Sequence, residues 1–131
     1  MRIWVNGCFD VIHRGHMELF KFAKSKGDLL IVGIDSDLRV KQSKGPTRPF
    51  NKQEDRKFVL ESVKYIDKVV IFDSDRELES QISVHNIDLM IVGSDWQNKR
   101  VIGSEYAGEV LFFDRIDGYS TTDILENDLC K

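Results

Sequence analysis

Residues 28–35 read DLLIVGID, and the reading of this stretch decides the fold. Leu29 to Ile34 is an unbroken apolar run, with one glycine inside it and an aspartate at each end. A strand with one wet face alternates apolar and polar residues. A continuous run belongs to a strand covered on both faces, as in a parallel sheet flanked by helices. Residues 88–95, DLMIVGSD, repeat the pattern closely. An internal repeat would explain the echo. Two buried parallel strands of one sheet explain it better, because such strands draw on the same residues.

Working outward, Ile3 to Val5 opens a first strand, DKVVIFD (67–73) reads as another, and GEVLFFD (108–114) as the last. Between them lie amphipathic stretches. HMELFKFAKSKG (16–27) places Met17, Phe20 and Ala23 at helical spacing and stops at Gly27. NKQEDRKFVLESVKYI (51–66) reads as a helix with Asn51 as its N-cap and Phe58, Val59 and Val63 on one face. DRELESQISVHNI (75–87) is a third helix, and STTDILEND (120–128) a short closing one. The order β-α-β-α-β-α-β-(irregular)-β-α predicts an α/β fold: a Rossmann-like open parallel five-stranded sheet with helices on both faces. At 131 residues the chain is expected to be a single domain. Ligands of such sheets sit at the carboxyl ends of the strands. The polar residues after each strand, Asn6 to Asp10, Asp35 to Asp37, Asp73 to Asp75, Ser94 to Trp96, and Asp114 with Arg115, should therefore meet on one rim.

Composition narrows the partners. The formal net charge is -3, which disfavours a general nucleic-acid binder. The two cysteines, Cys8 and Cys130, form neither a CxxC pair nor a disulfide framework. No apolar run approaches the ~18–20 residues of a membrane span, and the start of the chain has no signal-peptide pattern. A cytoplasmic protein with no membrane partner is expected.

Residues 6–16, NGCFDVIHRGH, are the richest in chemistry. Gly7 lets the chain turn as it leaves the strand, and Gly15 lies where a Cβ would crowd a ligand. His13 and His16 are three apart and share a face once the helix begins. The first turn of a helix has unpaired N–H groups and partial positive charge. Two imidazoles added there suit a polyphosphate. Two solvent-facing histidines at a helix start are the plain alternative. Zinc fits worse: it wants at least three ligands, and the only other histidine, His85, lies far along the chain. A second cradle is RIDGYSTTDI (115–124), where Ser120, Thr121 and Thr122 open a helix behind Arg115. Between strand and helix, residues 39–61 gather Lys41, Lys44, Arg48 and Arg56 around Gly45, Pro46 and Pro49. Basic residues collected in an acidic chain point to an anionic ligand, held by a structured loop or a lid. A solvated charged loop is the alternative. In VGSDW (92–96), Gly93 leads to Asp95 and Trp96, a carboxylate for hydroxyls and an indole for stacking.

GCFDVIHRGH resembles the HxGH signature of the cytidylyltransferase-like nucleotidyltransferases, and the resemblance runs through the whole chain to the STT element. It implies that His13 and His16 contact a nucleoside triphosphate and stabilise the pentacoordinate phosphorus. It assigns phosphate contacts to Lys44, Arg115, Ser120, Thr121 and Thr122, and nucleotide contacts to Gly7, Cys8, Phe9, Asp10, Gly15 and Gly93. Substrate contacts fall to Asp35, Arg56, Lys64, Asp95 and Trp96. Mg²⁺ should accompany the triphosphate, with Asp10 as a ligand through water or as a group orienting a histidine. A homodimer is implied, with residues 51–65 and YIDKV as its seam.

Two substrates compete. Glycerol-3-phosphate cytidylyltransferases resemble the chain in HNID, GSDW and DGYSTTDI; the heptose-1-phosphate adenylyltransferase domain resembles it in NGCFD, KGPTRP and GSEYAGEV. The leaning is to CTP and glycerol-3-phosphate, with ATP and a sugar 1-phosphate as the alternative. A phospho-receiver module fits badly, because the first strand lacks its acidic cluster and the last lacks its lysine. A non-catalytic nucleotide sensor is the remaining reading of another class.

Overall fold

A computed structural model describes residues 1–114. Arg115, Ser120, Thr121, Thr122 and the closing helix lie outside the described residues, as does the Asp95 side chain. The elements are β1 (Arg2–Gly7), α1 (Arg14–Ser25), β2 (Leu29–Asp35), α2 (Asp37–Lys44), α3 (Gln53–Glu61), β3 (Lys68–Phe72), α4 (Asp75–Val84), β4 (Leu89–Gly93) and β5 (Glu109–Phe113). Short 3-10 turns at Ser94–Trp96 and Ser104–Tyr106 fill the stretch between β4 and β5.

All four strand pairings are parallel, and the order is β3-β2-β1-β4-β5. The chain winds outward from β1 to β3, then returns to the other side of β1 for β4. The strand order reverses there, so the crevice between the ends of β1 and β4 is the expected ligand position.

Alternation along each strand divides the core into two layers. Ile3, Val5, Leu30, Val32, Ile34, Leu89 and Ile91 face α1 and α3, packing on Phe20, Ala23 and Leu60. Trp4, Ile31 and Met90 face α4, packing on Leu78 and Ile82. Gly33 is required by the second layer, because a Cβ there would lie inside the Trp4 ring.

Three expectations are corrected. The basic stretch 39–61 is not all loop. Ser36 caps Arg39 N at 3.2 Å and starts α2, which carries Lys41 and Lys44 in its last turn. In α3 the buried residues are Arg56 and Leu60, whereas Phe58 is 71% exposed and Val59 48%. Asn51 does not cap α3 either; Lys52 holds that position without a side-chain bond.

Candidate active site

The β1–α1 turn is built on a strained phenylalanine. Phe9 has φ 48°, a left-handed value that is costly for a bulky side chain. The turn buries its ring beside Gly7, where a Cβ would sit 3.1 Å from the ring. Gly7 is thus small for Phe9 rather than for the ligand. The edge of the Phe9 ring meets His16 and Phe20, each with centroids 5.2 Å apart. Phe9, expected to contact nucleotide, instead seats His16 with its side chain.

The histidines cap their own helix. His13 is the N-cap of α1, and its Nδ1 accepts from Gly15 N at 3.0 Å. His16 Nδ1 accepts from His13 N at 3.2 Å. Together they form a capping box in which imidazoles replace the usual hydroxyl and carboxylate. The rings stack with centroids 3.8 Å apart. An Nδ1 that accepts a bond carries no proton, so each neutral ring holds its hydrogen on Nε2. Two stacked imidazoles thus stand at a helix N-terminus, each with its Nδ1 turned inward to the cap.

Asp10 has a different role from the one expected. Its carboxylate is fully buried and accepts from Phe50 N at 2.6 Å, Asn51 N at 2.7 Å and Arg48 Nε at 3.3 Å. Its carbonyl accepts from Asn51 Nδ2 at 2.6 Å. These bonds pin residues 48–51 against the histidine loop, as a wall rather than a lid. They also leave Asp10 unfit as a Mg²⁺ ligand. Among the described residues no three His, Cys, Asp or Glu side chains converge as a metal site, so the described donors do not fit a protein-held Mg²⁺.

Arg56 is corrected in the same way. It is 1% exposed. Its guanidinium donates to Asn51 O (3.0 Å), Cys8 O (2.9 Å), Asp35 O (2.7 Å) and Asp37 Oδ1 (2.8 Å). It binds the ends of β1 and β2 to α2 and the loop, with each of its three nitrogens donating. Cys8 lies in the same corner; burial pushes its thiol up, against the charges of Lys44 and Arg56. Lys64 does not reach the rim. It is exposed, over the Tyr65 ring, in the turn that meets the start of β2 through Asp67 N and Leu30 O.

Arg48 was missed as a site residue. Its side chain is 17% exposed, and Nη2 is buried with no hydrogen-bond partner among the described residues. A guanidinium N–H without an acceptor is costly, and an anion in the cleft relieves that cost. The sequence signal was its place in the basic loop, which does not say which cation is buried.

On the α4 side of the same rim, a cavity of about 260 Å³ opens at the ends of β1, β2 and β4. Asn6, Asp35, Arg39, Leu78 and Trp96 are among its walls. Asp35 and Trp96, expected as substrate contacts, both line this cavity. Gly93 also borders it. Arg39 and Asn6 were not singled out.

The model of the family described as cytidylyltransferase-like matches residues 4–127. The bifunctional protein HldE of Campylobacter fetus is 44% identical over 123 residues, which is 94% of this chain and 27% of that protein. HldE of Helicobacter pylori strain Shi470 is 42% identical over 124 residues, 95% of this chain and 27% of that protein. The chain thus spans about a quarter of the length of these relatives. A lipopolysaccharide core biosynthesis protein from Thermoplasma volcanium has the same fold, with a TM-score of 0.73 and 19% identity over 89% of this chain and 98% of that one. With the parallel sheet, the histidine-capped first helix and a family match over nearly the whole length, this chain belongs to the cytidylyltransferase-like family.

Proposed function

We propose that the chain transfers an adenylyl group from ATP to a sugar 1-phosphate of the heptose-1-phosphate kind. The observation that carries the transfer chemistry is the histidine pair: two stacked rings at the N-terminus of α1, each with Nδ1 turned to the helix cap. The nucleotide and acceptor follow from whole-chain likeness. Glycerol-3-phosphate cytidylyltransferases share short words with this sequence, which favoured CTP. The likeness to HldE extends over 94% of the chain and favours the ATP alternative.

In the proposed reaction a phosphate oxygen of the sugar 1-phosphate attacks the α-phosphorus. The bond from that phosphorus to the α,β-bridging oxygen breaks, and pyrophosphate leaves with the electron pair. A phosphate dianion is already nucleophilic, so positioning and charge neutralisation do the catalysis. His13 and His16 donate to the phosphoryl oxygens, and Lys44 and Arg48 balance the triphosphate from the basic wall. Gly15 leaves the backbone open to the phosphates. Arg115, Ser120, Thr121 and Thr122 are assigned the other side of the triphosphate, and Asp95 a sugar hydroxyl. Mg²⁺ belongs to the proposal as an ion carried by the triphosphate, and no step is routed through it. The proposed assembly is a homodimer joined through the solvent face of α3, where Phe58 and Val59 are exposed; a monomer in sedimentation would count against it.

Pyrophosphate release, measured with ATP or CTP against heptose 1-phosphate or glycerol 3-phosphate, tests the reading. Release is expected from ATP with the sugar phosphate. Release from CTP with glycerol 3-phosphate alone would replace this reading with the other.

A further inference from the structure

The amino ends of the strands, away from the rim, bring a lysine and a histidine together. Lys68 is the first residue of β3, an edge strand, and His85 is the residue on which α4 ends. Lys68 Nζ lies 2.9 Å from His85 Nε2, and His85 Nδ1 lies 2.8 Å from the Gln81 carbonyl oxygen. A carbonyl only accepts, so Nδ1 carries the ring hydrogen. An ammonium only donates, so Nε2 of the neutral ring accepts from Lys68. The backbone fixes the imidazole as well. The His85 amide N–H donates to Gln81 O at 3.1 Å, and the His85 carbonyl accepts from Arg2 Nη1 at 2.8 Å. The buried Trp4 indole flanks the ring, with centroids 6.5 Å apart.

Other lysines are held differently. Lys24 pairs with Asp67 at 2.6 Å, and Lys26, Lys64 and Lys99 lie over aromatic rings. Lys68 is bonded instead to a basic nitrogen, and it has no salt bridge among the described residues. A lysine becomes a nucleophile only when its amine gives up a proton. A base within hydrogen-bond reach, itself oriented by a third group, is the arrangement that activates a nucleophile. Lys68, His85 and the Gln81 carbonyl supply those three parts. Lys68 is exposed and His85 is half-buried. A small reagent in solvent therefore reaches the amine while the base stays in place.

We propose that Lys68 is a modification site, acylated by an acyl phosphate with His85 as its base. His85 Nε2 takes one proton from the Lys68 ammonium. The freed amine attacks the acyl carbon. The bond from that carbon to the phosphate oxygen breaks, and phosphate leaves with the electron pair and takes up the second amine proton. His85 then returns its proton to water. The product is an amide on Lys68, which has lost both its charge and its bond to His85. The pair stands at the opposite end of the strands from His13 and His16, so the proposal does not rest on the transfer reaction above.

Incubation of the whole chain with acetyl phosphate at neutral pH, followed by site-resolved mass spectrometry, tests this. Lys68 is expected to be acetylated at least ~10-fold faster than the exposed Lys21, Lys41 and Lys64, the low end of what a positioned base supplies. His85→Gln keeps a side chain that can hydrogen-bond but has no basic nitrogen. It should bring the Lys68 rate down to that of the other three and leave theirs within about twofold. The comparison among lysines is made in the unchanged protein, so it decides the matter even where the variant folds poorly. Lys68 reacting no faster than the other three overturns the proposal, and so does an unchanged Lys68 rate in folded His85→Gln.

Discussion

His13 caps the first helix through Nδ1, and in the proposed reaction its Nε2 serves the ligand. The two roles separate by substitution. Asparagine is a strong N-cap, so His13→Asn is expected to keep stability within about 0.5 kcal/mol while kcat falls ~10²–10³-fold, the scale of one lost transition-state donor. Urea unfolding beside steady-state kinetics checks both; wild-type kcat in this variant would remove His13 from the chemistry. Arg48 invites the opposite comparison. Arg48→Met deletes an N–H with no acceptor among the described residues but also the Nε–H that bonds the buried Asp10 carboxylate, so it should cost about 3 kcal/mol and also lower kcat/KM for ATP at least ~10-fold. A large loss of stability with unchanged kinetics would make Arg48 structural. Residue types in the histidine stretch were legible because spacing, glycine and helix start all agreed. Asp10 and Arg56 were misread because a charge near a ligand site and a charge buried to build that site look alike in sequence. Only the count of satisfied bonds separates them: three on the Asp10 carboxylate, four on the Arg56 guanidinium.

Helix α2 shows where periodicity runs out. Among its eight residues only Val40 is buried, so there was no apolar stripe to read. The Ser36 cap was the available signal. Helix α3 shows the reverse: Phe58 and Val59 have the character of an inner face, but Arg56 and Leu60 occupy it. Tertiary demand for a four-bond guanidinium overrides hydrophobic pattern there. The turn between α3 and β3 is held by Asp67, which accepts from Lys24 Nζ at 2.6 Å and Leu30 N at 2.7 Å. Burial works to raise its pKa, but the bonds from Lys24 and Leu30 outweigh it, and the folded carboxyl titrates below its ordinary value. A lowered folded pKa gives stability that is complete above the unfolded value of about 3.9 and is lost as pH falls through the folded one. Asp67→Asn is therefore expected to cost about 1 kcal/mol at neutral pH, with the gap to the unchanged protein closing below about pH 4. Thermal unfolding across that range checks it, and a gap independent of pH would refute the ionic part.

At the scale of the whole molecule the fold was readable because buried parallel strands have a composition of their own. All five strands lie where the apolar runs predicted. The order β3-β2-β1-β4-β5 was not in the runs; it comes from packing, and it brings Asn6, Asp35 and Trp96 to one cavity although 90 positions separate the first from the last. Among the described residues no helix is long and apolar enough to cross a membrane. The described part of the rim holds a basic wall beside the histidines and a cavity against α4. The central claim is adenylyl transfer to such a sugar. Its most direct test is a competition: the chain is given ATP and CTP in equal amounts, with heptose 1-phosphate and glycerol 3-phosphate in equal amounts, and the products are identified by mass. The account predicts ADP-heptose as the dominant product. CDP-glycerol as the dominant product would contradict it.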